Sequence, residues 1–159
     1  MSPALGLNDD FLDLLRALAE AEVVFVVVGA HALAVHGVPR ATGDLDVLIR
    51  PSSENAARLV GALRAFGAPL DAHGVSEHDF TSPGSVYQLG LPPRRIDLLT
   101  SLTGVDFDDA WASRVEVRIE ELIVPFLGRD ALLRNKRATA REKDLGDIEL
   151  LSRGGSEHE

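Results

Sequence analysis

Apolar positions along the chain keep two different rhythms. Phe11, Leu14, Leu15 and Leu18 recur at i, i+3, i+4 and i+7, which predicts an amphipathic helix; Asn8 is suited to cap it, with Asp9 and Asp10 in its first turn. Val23 to Val28 (VVFVVV) is apolar at every position, the pattern of a buried strand. Gly29 then opens a short helical segment, Ala30 to His36, and Gly37-Val38-Pro39 breaks the chain. Asp44 to Ile49 reads as a second strand. Pro51-Ser52-Ser53 ends it and caps a helix whose Leu59, Leu63 and Phe66 stand at helical spacing before Gly67 stops it.

Residues 68–82 are irregular, and the spacing of His73, His78 and Asp79 fits no standard metal site. Val86 to Leu91 and Arg95 to Thr100 predict two hairpin strands. Val115, Val117 and Ile119 alternate with Glu116, Arg118 and Glu120, a half-buried strand with Leu122 to Phe126 as its partner. Residues 128–151 read as helical through Leu132, Leu133, Leu145, Ile148 and Leu151, while Arg153 to Glu159 has little apolar surface and is expected to be a disordered tail. The order of elements predicts an α+β protein, one domain over residues 1–152, with a short mixed sheet, helices mainly on one face and terminal helices.

Bulk properties narrow the classes. The 159 residues are enough for one ordinary core, and 45% apolar with 26% charged residues is normal for a globular protein. No run approaches the roughly 18 apolar residues of a membrane span, and the N-terminus has no signal-peptide pattern. The absence of cysteine excludes disulfides and thiolate metal sites, and the expected location is cytoplasmic. A net charge of −9 opposes broad nucleic-acid binding, although Arg134 to Lys143 gathers five basic residues. A solvated helix face is the competing reading of that run.

The chemistry concentrates between Gly29 and Arg50. Asp44 and Asp46, two apart on a strand, project from one face about 7 Å apart and can share hard cations such as magnesium. Gly29 allows close backbone approach to a ligand, and the helix start behind it attracts phosphate. Arg40 offers a fork of donors to phosphate, with a salt bridge to Asp44 as the alternative. Asp97 shares a face with Arg95 and Leu99; a carboxylate is disfavoured in a strand, which marks Asp97 as a third acid if its strand lies beside that of Asp44. His31 and Trp111 are expected to pack.

The stretch GAHALAVHGVPRATGDLDVLI, followed by Arg95-Ile-Asp97, resembles the signature of the DNA polymerase beta-like nucleotidyltransferase superfamily: a glycine turn, a short helix and Asp-x-Asp. It looks closest to small bacterial members related to AbiEii-type toxins, over Val23 to about Leu151. Position 30 is Ala where those proteins often carry Ser or Gly, so phosphate would be held by backbone amides. The resemblance implies a nucleotidyltransferase fold and magnesium-dependent transfer of a nucleoside monophosphate from a nucleoside triphosphate to a hydroxyl of RNA, protein or a small molecule. Asp44, Asp46 and Asp97 would be the catalytic residues and the ligands of two magnesium ions; Gly29, Ala30, Arg40, Thr42, Lys136 and Lys143 would bind the nucleotide. A Lys, then Lys-Asp, then Asp pattern near the end of such proteins marks Lys136, Lys143, Asp144 and Asp147; for Asp144 and Asp147 the alternative is internal salt bridges, such as Lys143 to Asp144, that hold the last helices together. Two rival functions remain open: a nucleotide- or metal-binding module with weak or no activity, and a toxin acting on transfer RNA with an antitoxin protein as partner.

Overall fold

The computed structural model describes residues 7–157. In chain order the elements are α1 (Asp9–Glu20), β1 (Phe25–Val28), α2 (Gly29–Val35), β2 (Asp44–Ile49), α3 (Ser53–Phe66), α4 (Leu70–His73), a 3-10 turn (Glu77–Phe80), β3 (Val86–Leu89), β4 (Arg95–Leu99), α5 (Phe107–Ala112), β5 (Val115–Ile119), β6 (Leu122–Phe126), α6 (Arg129–Thr139) and α7 (Glu142–Glu157). The architecture is the α+β one expected: a mixed sheet of six strands in the order β3-β4-β2-β1-β6-β5, with helices packed on it.

Local sequence accounts for most element ends. The Asn8 side chain accepts from Phe11 N at 3.0 Å, and the four stripe residues of α1 are all buried. Ser52 caps α3 through Asn55 N, and Gly67 closes it in the left-handed conformation at φ 99°. Helices α1 and α3 pack together, and Leu59 and Leu63 are wholly buried. On β2, Leu45, Val47 and Ile49 are fully buried on the face opposite Asp44 and Asp46.

Asn55 carries a structural load that periodicity does not reveal. It is 2% exposed; its Oδ1 accepts from Val24 N, and its Nδ2 donates to Val24 O and Arg50 O. One amide thus pins the start of α3 to the chain entering β1 and leaving β2.

Sheet order decides which chain segments meet. β1 and β2 run antiparallel, so Val28, the last residue of β1, stands opposite Asp46 near the start of β2. β2 and β4 run parallel, with Asp44 opposite Arg95 and Asp46 opposite Asp97. The glycine turn and both acidic segments therefore lie at one end of the sheet. β6 lies parallel to β1, leaving β5 at the edge.

The helices expected over residues 128–151 are two, α6 and α7, broken at Ala140 with φ 49°. The break is stabilised by Asp144, whose carboxylate accepts from Arg141 N and caps the start of α7. The expected disordered tail from Arg153 is replaced by helix through Glu157: Leu151 is fully buried, and Arg153 pairs with Glu149 one turn earlier, so the helix propagates from a packed anchor. The last two residues of that tail lie outside the described residues.

Candidate active site

The end of the sheet where β1, β2 and β4 meet opens into a cleft of about 520 Å³. Gly29, Ala30, Arg40, Thr42, Asp44, Asp46, Asp97, Lys136 and Lys143 all line it. The nine residues expected to hold metal or nucleotide thus line one cavity, whereas Asp144 and Asp147 do not.

The glycine turn is fixed by sterics as much as by conformation. Gly29 has φ 70°, a region that side chains resist, and a Cβ there would overlap the Asp46 carboxylate. The backbone at the start of α2 therefore lies directly against an acidic side chain. Leu33 and Ala32 anchor α2 in the core below.

The three aspartates form the acidic end. Asp97 is 7% exposed, while Asp44 and Asp46 are half-buried. Burial pushes the Asp46 carboxyl up to about 7, and the nearby Asp97 charge, a hydrogen bond with Asp97 and the Asp44 charge add to the shift. The crowded carboxylates call for a cation. Within the structure that cation is Arg95: its Nη2 donates to Asp44 Oδ2 at 2.8 Å and to Asp97 Oδ2 at 3.1 Å, and its Nε donates to Asp97 Oδ1 at 3.1 Å. From sequence, Arg95 shares the face of Asp97, but its hold on Asp44 depends on the parallel register.

The opposite wall is basic. Lys136 on α6 is buried and pairs with both Asp144 and Asp147 at 3.3 Å. Both partners are fully buried. Burial pushes the Asp144 carboxyl up, but bonds from Arg141, Thr139 and Lys136 outweigh it and hold the group well below the usual carboxylate range. Asp144 and Asp147 are bridged internally, but Asp144 meets Lys136 and Arg141 and not the Lys143 expected as its partner. Lys143 is exposed at the cleft wall.

Arg40 does not make the salt bridge to Asp44 that was its alternative reading. Its guanidinium forks onto Asp147 of α7. The register explains this, because Arg95 already occupies Asp44, and buried Asp147 requires donors. Thr42 accepts from Asp44 N and donates to Asp44 O, which fixes the entrance to β2.

The remaining candidates pack. His31 is buried edge-on to Phe11, 5.7 Å between ring centroids. His36 donates from Nε2 to Leu127 O, and burial lowers its pKa. Trp111 is half-buried, stacked on Phe107 with the Arg114 guanidinium 3.8 Å from its ring centroid. His73 bonds to the Tyr87 hydroxyl. Sequence reasoning passed over Arg141, Thr139, Ser101 and Asn135, which also line the cleft. Only the docking of α6 and α7 brings Arg141 and Thr139 there.

Three oxygen-only carboxylates at one sheet end are donors of the kind hard cations choose, and a guanidinium is lodged among them. Among the described residues, no group of three or more acidic or histidine side chains is arranged so that it could hold a metal ion as it stands; Asp44 and Asp97 are bridged by Arg95 instead.

No protein-family model matches the sequence, and no curated protein matches it closely enough to count as a relative. Among solved structures, a candidate nucleotidyltransferase of Thermotoga maritima superposes with a TM-score of 0.54 at 16% identity, over 92% of this chain and 90% of that one. The fold is therefore that of a nucleotidyltransferase-like α+β domain.

Proposed function

We propose that the protein transfers a nucleoside monophosphate from a nucleoside triphosphate to a hydroxyl acceptor and releases pyrophosphate. One observation supports this reading above all. Asp46 and Asp97 stand in register on neighbouring parallel strands beside a glycine turn, across one cleft from Lys136 and Lys143.

Asp44, Asp46 and Asp97 are the residues suited to hold magnesium, which when bound neutralises phosphate charge and makes the acceptor hydroxyl more acidic. Asp97, the most buried of the three, takes the proton of that hydroxyl. The acceptor oxygen bonds to the α-phosphorus as the bond to the α–β bridging oxygen breaks. The backbone of Gly29 and Ala30 holds phosphate oxygens, and no side-chain hydroxyl at position 30 assists. Lys143 offsets the charge that develops on pyrophosphate, with Lys136, Arg40 and Thr42 contributing through the wall they build.

Incubation with each α-labelled triphosphate and magnesium, with RNA, protein and small alcohols as acceptors, tests the reading. Label should move to one acceptor class and fail to move with Asp44→Asn. Equal transfer by that variant would remove the assignment.

The finer placement near AbiEii-type proteins rests on the motif resemblance. A transfer-RNA-directed toxin with an antitoxin partner gains less from the fold than from that resemblance. In the basic run, Arg134 pairs with Asp109, Lys136 with Asp144 and Asp147, and Arg141 with Asp144. Much of its charge is thus used internally.

A further inference from the structure

Resting on that reading, we propose that Arg95 is a built-in counter-ion which holds the metal-binding carboxylates until a nucleotide arrives, so that cation and triphosphate load together. The geometry is specific. Arg95 is the first residue of β4, opposite Asp44 in the parallel register, and its fork bonds Asp44 and Asp97 at once with three contacts of 2.8 to 3.1 Å. The oxygens it binds, Asp44 Oδ2 and both oxygens of Asp97, are ones a divalent cation needs. A guanidinium and a dication compete for them, because the two positive charges repel at short range.

The side chain is free to leave. It is 31% exposed and lines the same cleft as Lys136 and Lys143, where a triphosphate would sit. Arginine binds phosphate oxygens with the same planar fork that it offers a carboxylate. An incoming triphosphate therefore gives Arg95 replacement partners in the cleft while its cation takes the carboxylates. Without nucleotide, the exchange leaves Arg95 with water alone, and free metal binds poorly. The consequence is positive coupling between the two ligands, which by linkage is reciprocal.

The test is manganese binding, followed by titration calorimetry and by electron paramagnetic resonance of the free ion, in the wild type, Arg95→Met and Arg95→Gln. It is run with and without a non-hydrolysable triphosphate. Without nucleotide, both variants should bind manganese about tenfold or more tightly than wild type, since removing one adjacent positive charge is worth at least that much in a partly buried site. With the triphosphate present the gap should shrink, because the wild-type guanidinium has then moved. Glutamine keeps a hydrogen bond to the carboxylates without the charge, so it covers the case in which Met fails to fold; melting curves identify that case. If wild type binds free manganese as tightly as both folded variants, the role of Arg95 is overturned while the metal site stands. If neither wild type nor a folded variant binds manganese even with the triphosphate, both this inference and the proposed transfer reaction fall.

Discussion

Asp46 on β2 and Asp97 on β4 stand opposite one another in a parallel register, close enough for the Asp97 charge to raise the Asp46 carboxyl. Burial and the neighbouring negative charge keep a proton on Asp46 up to about pH 7.

This pair sets a pH dependence. An acid raised from 3.8 to about 7 in the folded state binds a proton that the unfolded chain has already lost, so stability falls as pH rises across that window and levels off above it. The slope from this one group is up to about 1.4 kcal/mol per pH unit. Asp46→Asn should flatten the melting temperature between pH 4 and 7 and raise it at pH 8, while abolishing label transfer. A wild-type curve that rises through that range, with no gain in the variant, would contradict the shift.

Gly29→Ala should cost both stability and nucleotide binding. The added methyl collides with the Asp46 carboxylate and forces an L-residue to φ 70°. A loss of about 1–3 kcal/mol is expected from the strain alone. Denaturant melts measure the first effect, and calorimetry with a triphosphate and magnesium the second. Gly37→Ala, also at positive φ but with open space around its Cβ, is the control that should leave binding intact.

Asp147→Asn separates clamp from chemistry. Asp147 is fully buried between Arg40 and Lys136, so neutralising it leaves the buried lysine and the Arg40 fork short of charge. Breaking such a site costs about 3–5 kcal/mol. Urea melts should show that loss, and hydrogen exchange should report faster opening of α6 and α7 before the rest of the fold. A change confined to transfer rate would instead place Asp147 among the reacting groups.

Asn55→Leu tests the fold away from the cleft. It strands Val24 N, while Val24 O and Arg50 O each lose one donor and keep Arg50 N and Ser52 N. Stability measured by urea should drop by about 1–3 kcal/mol for the amide left without a partner, while transfer per folded molecule is unchanged at low temperature.

The sequence by itself determined most of the elements and marked the acids that line the cleft. Periodicity placed α1, α3 and the strands, because a stripe at i, i+3, i+4 and i+7 or an unbroken apolar run can be buried in few ways. Spacing put Asp44 and Asp46 on one face, because side chains alternate along a strand. Nothing local paired β2 with β4 in register, sent the fork of Arg40 to Asp147, or gave Arg95 to Asp44 as well as Asp97. Those contacts join residues 51 and 107 positions apart, and only the packing of the whole sheet and of α6 against α7 decides such distances. The motif named the acids; the tertiary structure chose which cation each one meets.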